Sequence, residues 1–259
     1  MNNDKRNVII TGAGSGIGAA VAERFAQDGN RLFLFDLSAS RLSEVARGLQ
    51  TEVHEFAVDL TDSHAVGEAI AQISSQFALI DVLVNCAGVF DGAAGVEATS
   101  AELWHKVLNI NLTGAFNIVK PVSEKMIENK AGRIILIGSI AAQRAMPDGL
   151  AYCAAKAGLE GMTRRLAFDL GKYGITANLV APGVIRTNIR ATSTEILGDA
   201  VPNTNVGVGT NADLMNQLIP LVRGGMPSEV AATVHFLASE GAGYISGDVI
   251  HVDGGWIAS

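Results

Sequence analysis

Short apolar runs alternate with segments of helical length along the whole chain, and this alternation limits the fold more than any other feature. Strand-type runs cover 7–11, 31–36, 52–58, 81–85, 132–138, 175–181 and 248–252. Helical segments cover 16–28, 40–48, 62–76, 100–128, 152–172 and 228–238. Strand, helix and strand in succession build crossover units, so the strands should lie parallel with helices on both faces of the sheet. Val8–Thr11, Leu32–Phe35 and Ile134–Ile137 are apolar at consecutive positions. A sheet with one wet face would alternate in polarity; consecutive apolar residues mark strands buried on both faces. The composition follows: 48% of residues are hydrophobic and 17% charged, against about 25% charged in an ordinary domain. Such a chain is neither disordered nor a coiled coil.

No linker, repeat or low-complexity tract divides the 259 residues, so one domain is expected. The irregular part is 186–222, rich in Thr, Asn and Gly. A long segment of that kind is usually a lid or binding loop, or else a surface excursion. The formal net charge is −7 with no basic block, which argues against a nucleic-acid partner. No apolar run reaches the ~18 residues of a membrane helix. The first run, Val8-Ile9-Ile10, is too short for a signal-peptide core. Cys86 and Cys153 give neither a disulfide framework nor a zinc spacing. A cytoplasmic protein is expected.

The first strand runs into Thr11-Gly12-Ala13-Gly14-Ser15-Gly16-Ile17-Gly18 and then an amphipathic helix. Glycines permit a tight turn and let backbone N–H groups approach a pyrophosphate, while the helix N-terminus adds partial positive charge. The spacing is G-x-x-x-G-x-G rather than the commoner G-x-G-x-x-G. A glycine-rich turn without a ligand has the same composition. The second strand ends in Asp36. A carboxylate at this strand end accepts hydrogen bonds from an adenosine ribose 2′-OH and repels a 2′-phosphate. Ala13 and Ser15 stand in the turn and Leu37 follows Asp36, so no cation replaces it there. The residues therefore predict NAD over NADP. Asp36 can equally cap the next turn with Arg41 as neighbour; both roles are compatible.

Tyr152-Cys153-Ala154-Ala155-Lys156 opens a helix, with positions i and i+4 on one face. A phenol has a pKa near ~10, and lowering it by about three units takes roughly 4 kcal/mol. Lys156, helped by a positive nicotinamide, could supply much of that. Such a tyrosine could take a proton from an alcohol or return one to a carbonyl. The spacing alone is common on helix surfaces. Its setting is more specific: the strand Arg133–Ile137 leads to Ser139, 13 residues before Tyr152. A hydroxyl at the carboxyl edge of a parallel sheet can hydrogen-bond a reacting oxygen, or can simply turn the chain.

In this order the residues resemble the short-chain dehydrogenase/reductase family over essentially the whole length, apart from 186–222. Thr11–Gly18 is similar to its TGxxxGxG turn. Asp59-Leu60 fall where the family places an acid near the adenine. Asn85-Cys86-Ala87-Gly88 resembles its NNAG motif, with Cys86 in place of the usual second Asn. Asn111 matches the helix asparagine, and Ser139, Tyr152 and Lys156 complete the family's catalytic tetrad. Pro182-Gly183-Val184-Ile185-Arg186-Thr187 resembles PGxIxT. Tyr244–Gly247 and Asp253-Gly254-Gly255 match the C-terminal pattern.

The resemblance implies an α/β fold of one Rossmann-type domain over 1–259: a doubly wound, seven-stranded parallel sheet with helices on both faces and a substrate lid at about 186–222. It implies cofactor contacts from Gly12, Ser15, Gly16, Ile17, Gly18, Asp36, Asp59, Leu60, Asn85, Ala87, Gly88, Tyr152, Lys156, Pro182, Gly183, Ile185 and Thr187. The implied catalytic set is Asn111, Ser139, Tyr152 and Lys156. In the implied reaction Tyr152 takes the substrate proton, aided by Ser139, while hydride leaves for the nicotinamide. Lys156 lowers the Tyr152 pKa and bonds the nicotinamide ribose. Asn111 interrupts its helix and holds a proton-relay water, and Thr187 meets the carboxamide. No metal is implied. A homotetramer is implied, built partly on the helices of 152–172 and 103–128, with the strand 249–252 at a second interface.

The remaining residues have plainer expectations. Five histidines lack ligand spacing. Trp104 and Trp256 should be packing residues and Cys86 and Cys153 inert small side chains, with partial reactivity the alternative for Cys153 beside Tyr152. The substrate pocket should involve Ile140–Leu150, Phe90–Gly95, Val184–Arg190 and the lid. Arg144, Asp148, Arg190, Asp199 and Asn203 are its polar candidates; Met146, Ile189, Ile196 and Leu197 are the apolar ones. That mixture fits a small alcohol, a polyol or a hydroxy acid without selecting one. The expected function is NAD-dependent hydride transfer for a secondary alcohol/ketone pair. One alternative is a 3-oxoacyl thioester (acyl-carrier-protein) reductase, an activity that normally prefers NADPH, which Asp36 disfavours. Another is a non-catalytic nucleotide-sensing protein of the same fold, which an intact catalytic set argues against.

Overall fold

The computed structural model describes residues 5–144 and 148–258. Strands β1 (Asn7–Thr11), β2 (Arg31–Asp36), β3 (Val53–Ala57), β4 (Val82–Asn85), β5 (Gly132–Ile137), β6 (Ile175–Pro182) and β7 (Val249–Val252) form one sheet. The order is β3-β2-β1-β4-β5-β6-β7, and every pairing is parallel. Between them run α1 (Gly16–Ala26), α2 (Ala39–Gly48), α3 (Ser63–Gln76), α4 (Ala101–Leu108), α5 (Gly114–Asn129), α6 (Leu150–Leu170), α7 (Ile189–Leu197), α8 (Ala212–Leu218) and α9 (Pro227–Leu237).

Period-two alternation along each strand sorts its residues onto two cores. Val8, Ile10, Leu32, Leu34, Val82 and Val84 pack on one face with Val21 and Phe25 of α1 and Val230 and Val234 of α9. Ile9, Phe33, Phe35 and Leu83 pack on the other with Ile70 of α3, Ile118 of α5 and Leu159 of α6. Each fully buried side chain of this size contributes roughly 1.5–3 kcal/mol of transfer free energy. The sheet is thus covered twice, which accounts for consecutive apolar residues in its strands. The expected single-domain, doubly wound, seven-stranded parallel fold is observed. No helix among the described residues is long and apolar enough to cross a membrane.

Three expectations change. The helix expected over 100–128 is α4 and α5 separated by a π-helical stretch at Asn109–Thr113, which contains Asn111, the residue expected to interrupt it. Helix α6 starts at Leu150, two residues early. The excursion between β6 and α9 is not irregular throughout: it carries α7 and α8. Its two ends close on each other, with Gly225 N donating to Val184 O at 2.8 Å and Arg186 N to Gly225 O at 2.9 Å. Met146 lies outside the described residues.

Candidate active site

The strand order reverses between β1 and β4, and at such a switch point a crevice opens at the carboxyl ends of the strands. The turn after β1 is pressed into it. Thr11 Oγ1 donates to Asn85 Oδ1 at 2.8 Å and accepts from Ala87 N at 3.2 Å. Gly12 has φ +61°, and a Cβ there would stand 2.8 Å from Ala87 Cα. A Cβ on Gly18 would overlap the Gly12 carbonyl. Only glycine fits at either position. Helix α1 starts at this turn with no side chain capping it and no acidic residue in its first turn. Its free N–H groups and dipole leave a ready anion site, which suits a pyrophosphate.

Asp36 stands at the end of β2. Its Oδ2 accepts from Gly14 N at 3.0 Å, and its Oδ1 accepts from Ser38 N at 2.9 Å and from Arg41 Nη2 at 3.4 Å. The local capping role is therefore present. Asp59 Oδ1 accepts from Thr61 N and Oγ1, both at 2.8 Å. Both carboxylates border a cleft of about 390 Å³, also lined by Gly12, Ser15, Gly16, Ile17, Gly18, Leu60, Ala87, Gly88 and Thr187. Asn85, Tyr152, Lys156, Pro182, Gly183 and Ile185, expected as contacts too, are not among its lining residues. Gly183 N donates to Val252 O at 3.0 Å, and Ile185 bridges to Gly225. Arg41, Lys106 and Ile110 line the cleft without having been foreseen.

The catalytic candidates gather around Gly88. A Cβ on Gly88 would lie 2.6 Å from Asn111 Oδ1 and 3.5 Å from Lys156 Nζ. Asn111 is fully buried in the π-helical stretch. Its amide is engaged at both ends by Val89, accepting from the N–H at 2.8 Å and donating to the carbonyl at 2.9 Å. Lys156 Nζ donates to Ile137 O at 2.9 Å and lies 5.5 Å from the centre of the Tyr152 ring. Burial lowers its pKa to about 8. The Ser139 hydroxyl accepts from Ala141 N at 3.1 Å. Phe90 meets Tyr152 edge to face at 5.7 Å.

The Tyr152 phenol departs from expectation. Its pKa is raised, first by burial and then by the Asp148 and Asp91 carboxylates, against a side-chain hydrogen bond with Ser139 that lowers it. A lysine one helical turn away does not reverse this in the protein alone. Burial also pushes Asp148 up to about 6, with Asp91 adding repulsion. The Cys153 thiol is pushed up to about 11 by burial and then by Asp148, and that of Cys86 to about 12 by burial. Partial reactivity, the alternative for Cys153, is therefore suppressed.

Asp91 falls within the expected pocket range Phe90–Gly95, but its role escaped the sequence reading. It is fully buried and accepts from Gly149 N at 3.1 Å and Tyr152 N at 2.9 Å. A carboxylate from the loop after β4 thus caps the helix that carries Tyr152 and Lys156. The only signal was that α6 begins with no side-chain cap of its own.

Helix α7 lies across the crevice. Phe90 N donates to Ser193 Oγ at 2.8 Å. Arg190 donates to the carbonyls of Thr204 and Val206 and sits 5.1 Å above the Phe90 ring. Arg41 Nη1 reaches both carboxylate oxygens of Glu195, at 3.2 and 3.0 Å. Of the expected pocket residues, Phe90, Ala141 and Leu197 join Tyr152 in one buried cluster, with Ile196 and Trp104 against it. Trp256 packs with Ile140 and Val208. Asn203 is turned to its own loop, accepting from Asn205 N at 2.8 Å.

The arrangement combines an uncapped helix N-terminus, a carboxylate at the end of β2 and a phenol near a buried ammonium. A nicotinamide dinucleotide fits those groups. A family model described as enoyl-(acyl carrier protein) reductase matches residues 12–257. The chain is 41% identical over 253 residues to the 3-oxoacyl-[acyl-carrier-protein] reductase MabA of Mycobacterium tuberculosis, covering 96% of this chain and 92% of that protein. It is 35% identical over 256 residues to the D-threitol dehydrogenase of Mycolicibacterium smegmatis, covering 98% and 93%. Among solved structures, a 3-oxoacyl-[acyl-carrier protein] reductase with bound NAD from Brucella melitensis superposes with a TM-score of 0.82 at 30% identity, over 98% of this chain and 92% of that one.

Proposed function

The chain belongs to the short-chain dehydrogenase/reductase family, and we propose that it uses NAD(H) to interconvert a secondary alcohol and its ketone. The family's members are oxidoreductases that bind a nicotinamide dinucleotide. The observation that carries the finer reading is a crevice with Tyr152, Lys156 and Ser139 beyond Gly88 at one end and Asp36 at the other.

The dinucleotide, when bound, supplies the hydride acceptor or donor and, oxidised, a positive charge beside the site. The N-terminus of α1 would hold its pyrophosphate, Asp36 would accept from the adenosine ribose, and Thr187 would meet the carboxamide. Ser139 and Tyr152 hold the substrate oxygen. Tyr152 takes its proton in oxidation and returns it in reduction. Lys156 works against the burial that keeps the phenol protonated. Its own proton is loosened by burial, so it can hand a proton toward a water held at Asn111. The segment 186–222 serves as the substrate lid. A cytoplasmic homotetramer completes the proposal.

The relatives named as 3-oxoacyl reductases favour a 3-oxoacyl thioester as the ketone over the free polyol or hydroxy acid first expected. A polyol remains the second reading. Asp148 lies within electrostatic reach of the phenol, and a carboxylate there suits a substrate with a further hydroxyl.

The test offers NADH and NADPH with acetoacetyl thioesters, and NAD⁺ and NADP⁺ with polyols, hydroxy acids and cyclic alcohols, read at the nicotinamide absorbance. Turnover with thioester and NADH is expected. Tyr152→Phe should lower it by about 10²–10⁴-fold while dinucleotide binding stays near wild type. Undiminished turnover in that variant, or use of NADPH alone, overturns the reading.

A further inference from the structure

Arg41 is the cationic side chain that borders the cleft beside Asp36, and it is held from two sides. Asp36 takes Nη2 at 3.4 Å from the end of β2, and Glu195 takes Nη1 at 3.2 and 3.0 Å from α7. Its Nε is buried with no acceptor. A 2′-phosphate on the adenosine ribose would need a guanidinium at this corner of the fold. Here the guanidinium is already shared between two carboxylates. One of them is carried by a helix that spans the crevice and is tied on its other side to Phe90 through Ser193.

We infer that Glu195 is a cofactor-discriminating residue acting through Arg41: it keeps the guanidinium from a 2′-phosphate and fastens α7 over the adenosine end of the cleft. The inference rests on the dinucleotide reading above and extends it to a residue 154 positions from Arg41 in the chain. Two consequences follow from the same contact. A second negative charge at the corner repels a 2′-phosphate beyond what Asp36 does alone. Release of α7 from Arg41 would widen the nucleotide's way out, so the ion pair also slows its departure. Glu195 is 65% exposed, so the effect is modest and sensitive to salt.

Binding measured without substrate separates this inference from the catalytic one. NADH and NADPH are titrated by nicotinamide fluorescence into the wild type, Glu195→Gln, Arg41→Ala and the double variant, at low and high salt. Glu195→Gln is expected to tighten NADPH by about 3–5-fold at low salt and to speed NADH release. The NADPH gain should shrink at high salt and vanish when Arg41 is already alanine. An unchanged NADPH affinity in Glu195→Gln overturns the inference, and so does an equal gain with and without Arg41. Circular dichroism melting checks that each variant is folded. If the wild type binds neither dinucleotide, the dinucleotide reading itself fails and takes this inference with it.

Discussion

The Tyr152 phenol, the proposed acid–base group, lies within electrostatic reach of two carboxylates. Burial first, and then Asp148 and Asp91, raise the Tyr152 pKa, so the protein alone holds the phenol in its protonated form. Replacing Asp148 by Asn removes one like charge. The pH profile of alcohol oxidation should then move to lower pH by up to about one unit, seen as a shift in the rising limb of kcat against pH. The same substitution has a stability signature. Burial holds the folded pKa of Asp148 near about 6 against a reference of 3.8, so between those values the folded state binds more protons than the unfolded one. Stability should fall as pH rises through that window, by up to about 3 kcal/mol relative to Asp148→Asn. Urea unfolding of both proteins at pH 4 and pH 7 checks the sign.

Helix α6 is an element whose start is set from elsewhere. Asp91 accepts from the N–H of Gly149, just ahead of the helix, and from that of Tyr152 in its first turn. Asp91→Ala should cost about 2 kcal/mol and lower kcat by loosening Tyr152, whereas Asp91→Asn, retaining one acceptor oxygen, should lose less of both; denaturation midpoints and steady-state rates distinguish them. This remote cap also explains what the sequence could not reveal. Strand positions were legible because two covered faces leave long apolar runs, and the glycine turn because its backbone contacts admit no side chain. The start of α6 was not legible, since its cap stands 58 residues away from Gly149. The π-helical break at Asn109–Thr113 was signalled only by the family resemblance at Asn111, because one extra residue per turn barely disturbs a hydrophobic periodicity. Helices α7 and α8 escaped because Thr, Asn and Gly in 186–222 mask short amphipathic stretches. The pairing of Glu195 with Arg41 has no local trace.

For the whole molecule, one face of the described chain stands out as unfinished. Phe168 is 79% exposed and Phe116 51% exposed. Ala157, Gly161 and Phe168 fall on one stripe of α6, and all three are exposed. Small residues flanked by exposed aromatics suit close helix packing against a second copy. With the proposed homotetramer, light scattering should give four chains per particle for the wild type. Ala157→Glu or Phe168→Glu should reduce that to two by breaking one set of two-fold contacts while leaving the monomer's cores untouched.

The reversal of strand order between β1 and β4 also governs how the chain can assemble. Thr11 aligns with Asn85 in the sheet, while β1, β2 and β3 pair among themselves within the first 57 residues. A nascent chain can therefore organise one wing of the sheet early, yet the crevice has only one wall until β4 emerges and docks. Non-local parallel pairing of this kind is slow to form, and during that interval the free edge of β1 presents unpaired backbone groups and apolar side chains. The structural device that creates a nucleotide site is thus also the step at which synthesis leaves this protein most open to misassociation.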